Sequence, residues 1–268
     1  ILTTSLILLT FIVCFISTMA YSVKSAGVAV KKIALSYSLY NVFDLLSKTA
    51  LTILNPLFAS LLEKSIQKQN SDLFNFCIAL YMLTWIISSA LSLFYLPVFH
   101  DFFKKYVGTY EKNPSVLTLV QGLLKQTNIR VFVRIYKHVS FKNVVRKLLR
   151  EKILPSKVYW MNTLAYALNS ISLPACLLAA HTLPDYRVTS LTLAPLISGW
   201  ATLILFLYVD PFIALESEKT SQGVISLKSF RSTLTQLAYT KVVGAILGIF
   251  LVIPVSKFIV LLSRALNS

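Results

Sequence analysis

Asp44 and Lys48 stand four residues apart in NVFDLLSKTALTILNP (41–56), a run otherwise nearly free of groups that want water. On a helix, positions i and i+4 face the same way with Cβ atoms about 5–6 Å apart, and an acid preceding a base is the favourable order. An ionised group at the centre of a bilayer costs roughly 2.5–3.5 kcal/mol on the insertion scale. The pair can neutralise itself during insertion and stay available afterwards. Asn41, three residues before Asp44, and Asn55 extend the charges into a polar stripe facing a cavity or the bundle interior. Two roles fit the stripe: a buried ion pair holding helices together, or a countercharge beside a pathway.

Two further clusters carry chemistry. Asp210 precedes Pro211 in LYVDPFIALESEK, where proline disfavours helix for the residue before it and removes a donor, leaving backbone carbonyls beside a carboxylate. HTLPDYRVTS (181–190) offers Tyr186 and Arg187, the latter able to grip a phosphate as a fork or to snorkel to lipid headgroups. Lys241 and Lys257 lie near the ends of one apolar run and read as snorkelling. Gly244 and Gly248 have the G-x-x-x-G spacing that lets helices approach, within one subunit or between two.

No nucleotide-binding loop, zincin motif or paired-aspartate cluster is present, and Cys14, Cys77 and Cys176 each sit inside apolar runs without metal-ligand spacing. No metal site, cofactor or enzyme activity is expected.

The elements that must position these residues are membrane spans. The 268-residue chain is 56% hydrophobic and 13% charged, yet carries a formal net charge of +16. Its mean hydropathy is +0.71. That combination suits a membrane protein with basic segments facing anionic phospholipids. The basic residues sit between long apolar runs, which argues against nucleic acid. A spanning helix needs about 20 apolar residues. Six runs qualify, at about 1–22, 33–61, 73–99, 158–180, 189–213 and 237–262. The first has no basic n-region, and its first charge, Lys24, follows the run, so it reads as a span and not a signal peptide. The reading is an all-α polytopic membrane protein, one integral domain over 1–268.

Nineteen Lys and Arg residues fall in the three segments on one side, thirteen of them in 100–157, against four on the other. The positive-inside rule then puts 100–157 in the cytoplasm and both termini outside. Within that segment, FKNVVRKLLREKIL (141–154) sets Phe141, Val144, Val145, Leu148 and Leu149 on one face of a basic amphipathic helix, and VLTLVQGLLKQ (116–126) reads as a second or as a re-entrant piece.

Two stretches resemble the Amj family of bacterial lipid II flippases. The first is 17–64, through the Y-S-x-[KR]-x-A-G run at Tyr21, Ser22, Lys24, Ala26 and Gly27 and the A-L-S-x-x-L-[FY]-N run ending at Asn41. The second is 183–211, through P-x-Y-R at Pro184, Tyr186 and Arg187 and the D-P at Asp210 and Pro211. Lys48 stands where the family pattern favours arginine; Asp44 is not carried over. The resemblance implies a bacterial cell-membrane protein that moves undecaprenyl-pyrophosphate-linked disaccharide-pentapeptide from the inner to the outer leaflet.

On that expectation Lys24, with Lys31 and Lys32, gathers the anionic head at the cytoplasmic mouth. Lys48 with Asp44 and Asn41 meets it midway, and Arg187 and Tyr186 meet it outside. Asp210 or Asp44 could couple an ion. An inside-negative potential contributes about 2.3 kcal/mol per charge per 100 mV. Six spans are few for so large a head, which predicts a homodimer. Two rival readings use the same stripe or the same basic helix: an ion-coupled exporter of another polyprenyl-linked glycan or small solute, and a non-transporting scaffold.

Overall fold

In hydrocarbon every backbone N–H and C=O must be satisfied within the segment, so long apolar runs become helices. The computed structural model describes residues 2–67, 71–110 and 154–267, and no strand occurs among them. Its helices are α1 (Leu2–Met19), α2 (Tyr21–Ala29), α3 (Ile33–Gln67), α4 (Asp72–Tyr110), α5 (Ser156–Thr182), α6 (Arg187–Thr192), α7 (Ala194–Ile204), α8 (Asp210–Ser221) and α9 (Leu227–Ala265). Among the described residues six stretches are long and apolar enough to cross a membrane: Thr3–Ala29, Ile33–Gln67, Asp72–Lys104, Ser156–Thr182, Pro184–Ser221 and Leu227–Ala265. The all-α, six-span reading is what the chain adopts. The amphipathic helices expected over 116–126 and 141–154 lie outside the described residues, Leu154 excepted.

One boundary differs in a way that matters. The first span continues through α2 to Ala29, so Lys24 is inside it and not in a loop at its mouth. Lys24 is only 1% exposed. The helix tolerates this because the ammonium finds a carboxylate and two aromatic faces, described below. After Ala29 the chain turns through Lys31 at φ 59°, with the Lys32 N–H on the Gly27 carbonyl at 2.8 Å and the Lys31 N–H on the Val28 carbonyl at 3.2 Å. This is the double bond of a Schellman cap. Gly27 has no Cβ because Ser36 of α3 lies against it.

The fifth span is built from pieces. A 3-10 turn, Pro184–Tyr186, leads into α6; Pro195 starts α7; and a π-helical turn, Leu205–Val209, joins α7 to α8. The π turn has a local cause. Pro211 cannot donate, and its ring would meet the carbonyl four residues back. The backbone widens, and the Asp210 N–H bonds the Leu205 carbonyl five residues back. Pro56, Pro97, Pro174 and Pro254 sit inside helices without ending them.

Among the described helices α5 and α9 make the most extensive contact, and the two glycines explain it. A Cβ on Gly244 would come within 2.5 Å of the Thr163 carbonyl oxygen, and one on Gly248 would strike Ser170 and Ile171. The G-x-x-x-G face therefore packs within the subunit. Asn162 clamps the seam, its Nδ2 donating to the Leu237 carbonyl at 3.0 Å and to Thr240 Oγ1 at 2.6 Å.

Candidate functional site

α3 packs on α1, α2, α4 and α5, while the fifth span packs on α5 and reaches α2 and α9. Between α3 and the fifth span lies a cavity of about 690 Å³. On α3 it runs from Tyr37 to Leu51, about 21 Å at a rise of ~1.5 Å per residue. Its other wall is Thr202, Leu205, Phe206, Asp210, Pro211 and Ala214. Leu45 and Phe206 are exposed on its rim. A contact between α3 and the fifth span lies at or beyond each end of the cavity. Tyr37 Oη meets Ser217 Oγ at 3.1 Å, at the end of the bundle from which segment 100–157 leaves. At the other end Arg187 Nε donates to Glu63 Oε1 at 2.9 Å.

Five of the seven residues singled out from the sequence line this cavity: Lys24, Asn41, Asp44, Lys48 and Asp210. Lys48 Nζ is 2.7 Å from Asp44 Oδ2, the two side chains being 50% and 38% exposed. Lys24 Nζ donates to Asp210 Oδ1 at 3.2 Å across the floor. Its ammonium also lies 3.7 Å from the Tyr40 ring centroid and 4.9 Å from that of Tyr37. The π turn is what delivers Asp210 to it. Lys24 is thus part of the cavity floor, a correction to its expected place at an open mouth. Tyr186 and Arg187 are elsewhere: Tyr186 is in the 3-10 turn, and Arg187 is spent on Glu63. Asn55 is exposed beyond the cavity.

The residue that sequence reasoning missed is Lys241. Taken there for a snorkelling side chain, it is fully buried and lines the cavity. Its ammonium donates to Ser17 Oγ and lies 5.0 Å from the Tyr166 ring centroid. No carboxylate pairs with it among the described residues. A signal existed. Lys241 is three residues before Gly244 and seven before Gly248, hence on the inward-packing face. The expected start of its span at 237 hid this, since α9 begins at Leu227 and puts Lys241 well inside.

Three lysines and two carboxylates therefore share one aromatic-walled cavity, leaving one cation in excess. A buried ammonium without a countercharge is unfavourable. An excess of cations is chemistry that can hold an anion, and Tyr37, Tyr40, Trp85 and Tyr166 line the cavity with flat faces. Among the described residues no group of three or more metal-ligating side chains gathers anywhere.

Fold and cavity together define a multi-pass membrane protein with a charged cavity set between its spans. The Amj family model, described as Alternate to MurJ, matches residues 9–263, and the chain belongs to that family. It is similar to a protein of Bacillus subtilis (strain 168) named "Lipid II flippase Amj", at 23% identity over 95% of this chain and 96% of that protein. No solved structure matches.

Proposed function

We propose that the chain is a lipid II flippase, moving undecaprenyl-pyrophosphate-linked peptidoglycan precursor from the inner to the outer leaflet of a bacterial cell membrane. The observation that carries the reading is Lys241, fully buried and in salt-bridge contact with no carboxylate among the described residues, in a cavity that already holds Lys24 and Lys48. The B. subtilis relative's name supplies the substrate.

The pyrophosphate is the anion such a cavity lacks. Small-ligand pockets run to roughly 300–1,000 Å³, so about 690 Å³ takes the pyrophosphate and the adjoining sugar rather than the whole disaccharide-pentapeptide. The exposed rim at Leu45 and Phe206 lets the polyprenyl tail stay in lipid while the head enters sideways. Asp44 holds Lys48 until the anion arrives and then shares it. By the positive-inside rule, the end nearest segment 100–157 faces the cytoplasm. The cavity then reaches from that side to Leu51 and stops short of the Glu63–Arg187 contact, the arrangement of a state that has yet to open outward. Arg187 accordingly serves as a closure rather than a first contact. No enzymatic step enters this scheme, and an inside-negative potential drives the anion outward at about 2.3 kcal/mol per charge per 100 mV.

The test is complementation of cells depleted of their other lipid II flippases. Growth restored by the wild-type chain supports the reading. A chain that is expressed and inserted yet restores nothing contradicts it and favours export of a different polyprenyl-linked glycan.

A further inference from the structure

A second cavity, of about 420 Å³, lies between α2, α4 and the first turns of α9, at the end of the bundle from which segment 100–157 departs. We propose that it is a separate binding site for a phosphate-class anion, with Arg231 as its principal ligand and Lys228 and His100 beside it.

The lining is basic and hydroxylic. Arg231, Lys228, His100, Ser22 and Ser25 contribute to it, and no carboxylate does among the described residues. Two of its nitrogens are buried with no hydrogen-bond partner: Nε of Arg231 and Nε2 of His100. Leaving such groups unpaired is costly, so an unmet pair in one cavity marks a missing ligand. His100 is 2% exposed and fixed from behind: the Ser25 hydroxyl donates to the Ser22 carbonyl at 2.9 Å and accepts from Nδ1–H at 2.5 Å. In the neutral ring Nε2 is therefore an acceptor, suited to a protonated phosphate oxygen or a headgroup hydroxyl while Arg231 meets the charged oxygens. The acid nearest Arg231, Asp101, approaches only to 3.9 Å through Nη2 and is itself 78% exposed. It leaves the guanidinium edge available. That edge is a planar fork matching two oxygens of a phosphate.

Helix polarity adds to the charge. Leu227 and Lys228 line the cavity from the first turn of the 39-residue α9, whose N-terminus carries the positive end of its dipole. Of that turn's backbone donors, the Ser229 N–H is already taken by the Ser226 hydroxyl at 3.2 Å.

This site is not the cavity described above. α2 separates the two, presenting Lys24 to one and Ser22 and Ser25 to the other. Tyr21 lines the smaller cavity and meets Tyr166, which lines the larger, hydroxyl to hydroxyl at 2.9 Å. The inference stands whether or not the larger cavity carries lipid II.

A tetrahedral phosphate oxyanion reaches such a site from two sources, as a free anion or as the headgroup of an anionic phospholipid, and two experiments separate them. In the first, full-length protein in phosphatidylcholine nanodiscs, in phosphate-free buffer, is titrated with inorganic phosphate by calorimetry. In the second, protein in nanodiscs containing phosphatidylglycerol is released for native mass spectrometry, and retained phosphatidylglycerol is counted. Saturable binding is expected in at least one arm. It weakens about tenfold in Arg231→Gln, as loss of a charged hydrogen bond implies. It weakens roughly two- to fivefold in Lys228→Gln, an exposed position where folding is not at risk. Binding is retained in Lys257→Gln, an exposed lysine towards the other end of α9 that lines neither cavity. No saturable binding in either arm overturns the proposal, as does binding that Arg231→Gln and Lys228→Gln weaken no more than Lys257→Gln does.

Discussion

The cavity's two ion pairs are built differently and should fail differently. Lys24 is buried against Asp210 and two tyrosine rings. Asp210→Asn should cost about 3 kcal/mol of stability, the lower end for breaking a buried pair because the cation–π contacts remain. Replacing both, with Lys24→Met and Asp210→Asn, should recover part of that. A double-mutant cycle on unfolding in detergent micelles checks it, and additive losses would mean that the pair is not coupled. Asp44 and Lys48 are partly exposed, and an i,i+4 pair of that kind contributes only about 0.3–0.5 kcal/mol. Lys48→Ala should therefore leave unfolding nearly unchanged while slowing flipping of labelled lipid II; a normal rate from the folded variant would reduce the pair to scaffolding.

At the scale of elements, the glycine seam fixes where α9 can sit, and so where Lys241 points. A Cβ on Gly244 meets backbone atoms of α5, the Thr163 oxygen at 2.5 Å and the Ala167 nitrogen at 3.0 Å, and backbone cannot swing aside as a side chain can. Gly244→Val should destabilise the protein by about 1–3 kcal/mol through overpacking, read as a lower midpoint of thermal unfolding in nanodiscs. Ser221→Ala, at a half-buried position whose hydroxyl bonds the carbonyl of Glu218 one turn back in the same helix, should leave that midpoint unchanged.

The element level is also where the sequence was most and least legible. Six apolar runs sufficed for six helices, because lipid leaves the backbone no other solution. The polar stripe of α3 was readable because helical spacing alone puts Asn41, Asp44 and Lys48 on one face. Two things were not readable. Lys24 looked like a loop residue because its partner, Asp210, is 186 positions away and is brought round by a π turn. Lys241 looked like an end residue because hydropathy marks where a run is greasy, not where its helix begins. Arg187 shows the converse, since a short basic motif gives no hint that Glu63 already occupies it.

For the whole molecule, the Tyr37–Ser217 and Glu63–Arg187 contacts bracket a side opening between α3 and the fifth span. If transport requires the second contact to part, a cleavable thiol-to-thiol crosslinker joining Glu63→Cys to Arg187→Cys, long enough to replace the two side chains, should stop flipping and release it when cleaved. Flipping that continues through the intact crosslink would show that the head leaves by another route. We also propose a homodimer, on the ground that one such cavity is small beside the full disaccharide-pentapeptide. The mass of the protein in nanodiscs should be that of two chains, and a monomer that still flips would exclude it.

The most direct test joins function to stability at Lys241. Lys241→Met replaces a buried cation with an apolar side chain of similar length, which costs the fold little or stabilises it. Flipping of labelled lipid II is measured in reconstituted vesicles alongside thermal unfolding. The cavity account predicts flipping by the wild type, a rate about tenfold or more lower in Lys241→Met, and an unfolding midpoint that is unchanged or higher. A Lys241→Met protein that flips at the wild-type rate would contradict it.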